Sequence, residues 1–269
     1  VNKLRRALFI KSKIRHGNSW GMSDIFIVSY PKSGTTWLCL ILANILQQLY
    51  SDKRRVDFYT VHDDIPDYHF NPERVEQISH QKFIKTHESF KLWHDRIYNK
   101  GRGVVYPRIV YLVRDGRKAM ASSYLYSNAI SKKEIDFPKF LDREKAKYGA
   151  WDEHVDQWIL SNNTLDTRMV QLISYENLIT DPYKEIQNIL NFSGLIVPKH
   201  IIQRAIDDSD ISQMRSLESL YGNGVSYSEK EYSFARKDTN RNVKEELSKE
   251  VEVYFASKNK ANILKKMGY

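Results

Sequence analysis

Short apolar runs alternate along the chain with stretches of helical periodicity. Residues 24–30, DIFIVSY, are rich in β-branched and aromatic side chains, and such a run predicts a buried strand. After a polar loop, the apolar positions recur at the spacing of a helix: Leu38, Ile41, Leu42, Ile45, Leu46 and Leu49. The first fifty residues therefore predict a strand, a loop and a helix, in that order.

Three further strands are predicted by the same pattern. They are residues 82–87 (KFIKTH), 108–114 (RIVYLVR) and 168–176 (RMVQLISYE). Helical patterns follow the third and fourth strands, and the last of these begins at Asp181 and stops at Gly194. This alternation predicts an α/β fold with a central parallel sheet flanked by helices. No linker or repeat interrupts it, so we expect a single domain over residues 1–269.

In open parallel sheets, ligands bind beyond the carboxyl ends of the strands. Four chemically active side chains stand at those ends in the predicted sheet: Tyr30, His87, Arg114 and Tyr175. We therefore expect them to lie around one site.

Composition narrows the choice of partner. The net charge of +9 and the pI of about 9.3 suit an anion, which could be a nucleic acid, a membrane surface or a polyanionic cofactor. The basic residues are dispersed and no apolar run reaches about 18 residues, so we expect neither nucleic-acid nor membrane binding. A chain with a single cysteine, Cys39, cannot form an internal disulfide, which favours a cytoplasmic location. Cys39 lies in a helical apolar pattern and is predicted to be buried.

The segment SYPKSGTTWL, residues 29–38, connects the first strand to the first helix. Gly34 permits a tight turn, and the backbone N–H groups of Thr35 and Thr36 stand at a helix N-terminus, which favours an anion. Lys32 adds an ammonium group, although it precedes the glycine, unlike the lysine of a Walker A loop. The alternative is an ordinary turn capped by a hydroxyl group.

Arg114 ends the third strand, and Ser122 follows eight residues later on the next helix. An arginine can bind a phosphate through two parallel hydrogen bonds, and a serine can donate to the same group. The alternative for Arg114 is a structural ion pair with Asp115 or another carboxylate.

His87 stands at the end of the second strand, with Lys85 two residues earlier. A histidine beside a cation in that place is a candidate general base. Because the chain has eight histidines, position alone does not distinguish it from a structural one.

Together these motifs resemble the cytosolic-type sulfotransferases that use 3′-phosphoadenosine 5′-phosphosulfate (PAPS). YPKSGTTWL is similar to their 5′-phosphosulfate loop, and VYLVRDGRKAMASSYLYS is similar to their 3′-phosphate motif. KTH matches the segment of the catalytic histidine, and ISYENLITDPYKEIQNILNF matches the stretch whose tyrosine borders the adenine. The resemblance runs from about residue 24 to about residue 245.

The resemblance implies a P-loop-NTPase-like fold, PAPS as the sulfuryl donor, 3′-phosphoadenosine 5′-phosphate (PAP) as the product, and no metal. It implies three catalytic residues, His87, Lys32 and Lys85. The implied donor-binding residues are Lys32, Ser33, Gly34, Thr35, Thr36, Trp37, Arg114, Ser122, Tyr175, Ser209, Arg236 and Lys237. Near the last pair the sequence departs from the family, with Asp238 and Arg241 in place of glycines.

The implied acceptor is a hydroxyl or amine group of a small molecule or saccharide. Residues 58–70, FYTVHDDIPDYHF, and four aromatic side chains are candidate walls of its pocket: Trp20, Trp93, Tyr124 and Tyr126. Residues 221–242 are expected to form a lid.

Two alternative functions are a P-loop-type small-molecule or nucleoside kinase and a basic nucleic-acid-binding module. The kinase needs the Walker A order of lysine and glycine, and the binding module needs a clustered basic face. The sequence shows neither feature.

Overall fold

A four-stranded parallel sheet organises the protein, as the sequence predicts. The computed structural model describes residues 24–50, 56–69, 74–78, 80, 83–98, 106–131, 135–221 and 245–269. The strands are β1 (Ile25–Ser29), β2 (Phe83–Thr86), β3 (Arg108–Val113) and β4 (Val170–Ser174), and their order in the sheet is β2-β1-β3-β4. Each observed strand lies within the predicted run.

Helices cover both faces of this sheet. The helices of the described residues are α1 (Thr35–Tyr50), α2 (Val61–Asp64), α3 (Arg74–Gln77), α4 (Phe90–Tyr98), α5 (Gly116–Ser131), α6 (Phe137–Tyr148), α7 (Trp151–Val155), α8 (Tyr175–Thr180), α9 (Pro182–Ser193), α10 (Lys199–Asp207), α11 (Ile211–Tyr221), α12 (Glu245–Phe255) and α13 (Lys258–Lys266). A π-helical turn (Asp156–Leu160) continues α7, and a 3₁₀ turn (Thr167–Met169) precedes β4.

Two apolar cores lie on opposite faces of the sheet because side chains alternate along each strand. Ile25 and Ile27 of β1 pack into the first core, with the apolar side chains of α1, α9 and α10. Phe26 and Val28 pack into the second, which contains three buried tryptophans. All five residues of β1 are buried, as expected for a central strand covered on both sides.

The register brings the four strand ends to one edge. Parallel pairing aligns Val28 with Thr86, Ser29 with Leu112, and Val113 with Ser174. Each strand is followed directly by one of the four predicted residues, namely Tyr30, His87, Arg114 and Tyr175. Of the helices that the structure describes, none has the length and apolar character needed to span a membrane.

Candidate functional site

The loop between β1 and α1 forms the centre of the candidate site. Two of its residues have left-handed backbone conformations, Lys32 with φ 66° and Gly34 with φ 92°. Such a conformation is costly for a lysine and is typical of functional loops. Thr35 is the first residue of α1, so its N–H and that of Thr36 have no partner within the helix. The loop thus presents free helix N-terminal donors, as the sequence predicts.

Two buried serines of the loop region have different environments. The Ser29 hydroxyl lies 2.5 Å from the Thr35 hydroxyl, which ties the end of β1 to the start of α1. Ser33 is fully buried, and its Oγ has no hydrogen-bond partner among the described residues. Because a buried hydroxyl without a partner is unfavourable, Ser33 is suited to donate to a bound group.

Gly34 and Tyr175 are in direct contact. A Cβ atom added at Gly34 would lie 2.3 Å from Cδ2 of Tyr175, so only glycine permits this approach. The Arg114 guanidinium lies 4.5 Å from the centre of the same ring, in cation–π geometry, and donates to the Lys32 carbonyl at 2.8 Å. Loop, arginine and tyrosine therefore form one packed unit.

Asp115 is held by a residue other than Arg114. Arg117 donates to both of its carboxylate oxygens, at 3.0 and 2.9 Å. This ion pair gives Asp115 a partner of its own. Ser122 is buried on α5, the helix that begins two residues after Arg114.

Trp37 connects the loop to two other predicted residues. Its indole N–H donates to the Ser209 carbonyl at 2.8 Å, and its ring meets Tyr175 edge-on at 6.5 Å. The Ser209 hydroxyl accepts from Asn44 of α1 at 3.0 Å. The structure therefore brings together three of the implied donor-binding residues, Trp37, Tyr175 and Ser209.

His87 has a defined tautomer. Its Nδ1 lies 2.8 Å from the Ser29 carbonyl, which can only accept, so Nδ1 carries the proton. The Nε2 lone pair is then available to accept a proton from another molecule. Burial, followed by the nearby Lys85 cation, lowers the pKa of His87 to about 3, so the ring is neutral at pH 7. The Tyr148 ring lies edge-on at 6.3 Å.

The two lysines are held differently. Lys85 is buried, and its Nζ lies 2.5 Å from Oδ2 of Asp67. Burial raises the pKa of Asp67, but this ion pair more than compensates, and the net shift is downward. Lys32 instead places its Nζ 4.4 Å from the centre of the Tyr126 ring. The sequence did not predict Asp67 as the partner of Lys85, because no local pattern connects positions 67 and 85.

Two of the candidate acceptor-pocket residues, Trp93 and Tyr124, pack in or against the second core. Trp93 is fully buried and packs against Phe26 and Trp158. Tyr124 donates to the Ile135 carbonyl and packs against aromatic side chains of α6. The assignment of Trp93 is wrong, since sequence does not distinguish a buried aromatic ring from one that lines a pocket. Tyr124 is only partly buried, so its assignment stays a prediction.

Several predicted residues lie outside the described ranges. They are Trp20, Arg236, Lys237 and nearly all of the expected lid at 221–242. Among the residues that the structure does describe, no group of three or more His, Cys, Asp or Glu side chains is arranged to hold a metal ion. The acids at positions 64 and 67 are engaged by Gln47 and Lys85.

A comparison with known proteins decides the family. The sequence model of the sulfotransferase domain matches residues 22–268. This chain belongs to the sulfotransferase domain family. The resemblance inferred from the motifs is thereby confirmed.

Sulfotransferase 1A1 of Bos taurus is 28% identical over 205 residues, which are 71% of this chain and 66% of that protein. Sulfotransferase 1 family member D1 of Rattus norvegicus is 28% identical over 206 residues, with 72% and 66% coverage. The chain thus spans 66% of the length of these curated relatives.

Solved sulfotransferase structures share the fold. Mouse SULT7A1, which was crystallised with PAP, superimposes with a TM-score of 0.60 at 21% identity, over 91% of this chain and 87% of that one. Retinol dehydratase in complex with retinol and PAP superimposes with a TM-score of 0.59 at 19% identity, over 91% and 82%. The predicted fold class is confirmed.

Proposed function

We propose that this protein transfers the sulfuryl group of PAPS to a hydroxyl or amine group of a small-molecule or saccharide acceptor and releases PAP. One observation supports this most strongly. Ser29 connects the anion loop to His87, because its hydroxyl is hydrogen-bonded to the Thr35 hydroxyl and its carbonyl accepts a hydrogen bond from Nδ1 of His87. A helix N-terminus and a neutral histidine with an available Nε2 are thereby fixed at one edge of the sheet.

The loop side is suited to the donor. PAPS brings a sulfuryl group that carries less charge than a phosphoryl group, so fixed cations and N–H dipoles can stabilise its transfer. The N–H groups of Thr35 and Thr36 would hold the 5′-phosphate. Lys32 would lie close to the bridging oxygen, which stays on PAP when the sulfuryl group leaves. Arg114 and Ser122, together with the predicted Arg236 and Lys237, would bind the 3′-phosphate.

The histidine side is suited to the acceptor. His87 Nε2 would accept the proton of the attacking hydroxyl or amine group. An anionic donor bound beside it would raise its pKa from the low value set by burial and Lys85, because opposite charge favours the protonated ring. Lys85 would support the transferring group from its ion pair with Asp67.

The acceptor would lie among aromatic rings. Tyr148 stands beside His87, and Tyr126 stands beside the Lys32 ammonium group, so two of the three proposed catalytic side chains lie next to an aromatic ring. Flat faces of this kind suit an aromatic ring or a sugar face. The solved relatives include retinol dehydratase with retinol and with androsterone, which are small molecules bound to that protein.

Two broader proposals accompany this function. We propose that residues 1–269 form one sulfotransferase domain, in line with the family match over 22–268. We also propose a cytoplasmic location, because a chain with one cysteine, Cys39, cannot form an internal disulfide.

The test is transfer from ³⁵S-labelled PAPS to a panel of phenols, alcohols, sugars, amines and guanidinium compounds. We expect one class to become labelled, with release of one PAP per labelled product. No labelled product from any class, together with no thermal stabilisation by PAP, would contradict the proposed activity. Thermal stabilisation by ATP–Mg²⁺ in place of PAP would favour the kinase alternative.

A further inference from the structure

The main chain that carries His87 is bound by two buried donors from a distant part of the sequence. The Trp158 indole N–H donates to the Glu88 carbonyl at 3.0 Å. Nε2 of His154 lies 3.1 Å from the same carbonyl and 3.3 Å from the carbonyl of His87 itself. Both donors are fully enclosed, with His154 at 0% and Trp158 at 1% exposure. Two buried hydrogen-bond donors therefore hold the main chain of residues 87–88.

His154 can act only as a donor at these carbonyls, so its Nε2 carries the proton. Its Nδ1 must then accept, and the Tyr111 hydroxyl lies 2.8 Å away to donate to it. Burial lowers the pKa of His154 to about 4, so the ring stays neutral near pH 7 and keeps this donor and acceptor pattern. The chain of hydrogen bonds thus runs from β3 through His154 to the segment of the base.

The other contacts of the segment complete the support. The Glu88 N–H donates to the Thr86 hydroxyl at 3.2 Å, and the His87 ring donates to Ser29 at 2.8 Å. His87 is consequently fixed both at its ring and at its backbone. The donors come from α7 and the π-helical turn after it, and π-helical turns are frequent at functional sites.

We propose that His154 and Trp158 are positioning residues that hold the His87–Glu88 main chain in the geometry that proton transfer needs. This inference rests on the proposed role of His87 as the base. A misplacement of about 1 Å can reduce turnover about 10²-fold even when the altered residue does not touch the substrate. Donors that fix both carbonyls of the segment would prevent such a displacement.

The alternative is that the two rings only fill the core, and the structure offers a matched control. Trp93 lies in the same apolar core, fully buried, with its ring 5.0 Å from that of Trp158. Its indole nitrogen has no hydrogen-bond partner among the described residues. Replacement by phenylalanine removes the same volume at both positions, but it removes the bond to Glu88 only at position 158.

The experiment compares Trp158→Phe with Trp93→Phe. It uses ³⁵S-labelled PAPS and the acceptor of the panel that is sulfated fastest, together with PAP affinity and Tm. We expect both variants to keep PAP affinity, and Trp158→Phe to lose more thermal stability than Trp93→Phe because it also loses a buried hydrogen bond. Trp158→Phe should lose roughly tenfold in kcat, and Trp93→Phe should lose less than about twofold. Equal kcat in the two variants would overturn the inference.

His154 gives a second pair, whose outcome does not depend on tryptophan packing. Glutamine can place an amide N–H where the imidazole donor stands, and leucine cannot. We expect His154→Leu to lose up to about 10²-fold in kcat with KM for PAPS unchanged, and His154→Gln to recover most of it. Equal loss in both variants would indicate a packing role and contradict the inference.

The same assay separates this inference from the proposed function. If His87→Ala keeps near-normal turnover, then the base assignment fails and the positioning role fails with it. If His87→Ala is inactive while Trp158→Phe and His154→Leu match their controls, then only the positioning role fails. A ¹⁵N-histidine NMR spectrum needs no acceptor and gives a further readout. We expect His87 to leave the pure Nδ1–H tautomer in Trp158→Phe and to keep it in Trp93→Phe.

Discussion

The loop side and the histidine side of the site are constructed in different ways. The loop side is mostly local, since residues 29–37 supply the turn, the lysine and the helix N-terminus within nine positions. The histidine side is assembled from distant segments, with His87 and Ser29 58 positions apart and Trp158 and Glu88 70 positions apart. The loop proposed to bind the 5′-phosphate can therefore be recognised from one sequence motif, whereas the placement of the base depends on contacts between distant segments.

The largest expected effect comes from removal of the base. We expect His87→Ala to lose about 10²–10⁴-fold in kcat, because the acceptor proton then has no fixed recipient. PAP affinity should stay within about twofold, since the loop side does not need the imidazole. Steady-state sulfation together with PAP calorimetry checks both statements.

The matched control for that variant is His200→Ala, an exposed histidine on α10. It should leave kcat and PAP affinity unchanged. If His87→Ala weakened PAP binding as strongly as it slowed turnover, the division of the site into two sides would be wrong.

The second effect is on the loop side and concerns Gly34→Ala. The change forces alanine into a left-handed conformation, at a cost of about 1–2 kcal/mol, and pushes against the Tyr175 ring, at a cost of about 1–3 kcal/mol. We expect PAP binding to weaken by about 10²-fold, as measured by calorimetry.

Gly194→Ala separates the two costs. Gly194 also has a positive φ, 77°, but a Cβ atom there would meet nothing within 4 Å. It should lower stability by about 1–2 kcal/mol and leave PAP affinity unchanged. Equal PAP affinities in the two variants would show that contact between Gly34 and Tyr175 does not matter for the nucleotide.

The third effect concerns recognition of the 3′-phosphate. Arg114→Ala removes a charge-assisted contact worth about 1.5–3 kcal/mol, so PAP should bind roughly 10–10²-fold more weakly. The affinity for adenosine 5′-phosphate, which lacks the 3′-phosphate, should fall much less in the same variant. Arg117→Ala is the control, because that side chain binds Asp115. An equal loss for the two nucleotides would contradict the role assigned to Arg114.

The smallest effect is on stability at low pH. The pKa of His154 is lowered to about 4 in the folded protein, against about 6.5 when unfolded. The unfolded chain therefore binds an extra proton between those values, and the free energy of unfolding falls as pH drops through that window. His154→Gln should reduce this dependence by up to about 1.4 kcal/mol per pH unit. Urea unfolding at pH 7, 6 and 5 measures it, and an unchanged slope would contradict the neutral buried state.

Much of the fold could be predicted because the strands are short, apolar and bounded by polar loops. All four strands lie where the sequence predicts them, and the helix after Asp181 ends at Gly194 as expected. The four strand-end residues followed from the rule for parallel sheets.

Partners formed across the fold could not be predicted in the same way. Nothing in the sequence connects Lys85 to Asp67, and an aromatic residue such as Trp93 gives no local indication of which side of the core it faces. For the two residues that hold the His87 main chain, the sequence contains one weak signal: His154 and Trp158 are four residues apart. That spacing places two side chains on one helix face without saying what they meet.

The central claim is that the edge of this sheet binds the PAPS nucleotide, and calorimetric titration of the wild-type protein with PAP tests it most directly. We predict one PAP per chain, with affinity kept in His87→Ala and weakened about 10²-fold in Gly34→Ala. The absence of PAP binding by the wild-type protein, or tighter binding of ATP–Mg²⁺ than of PAP, would contradict it.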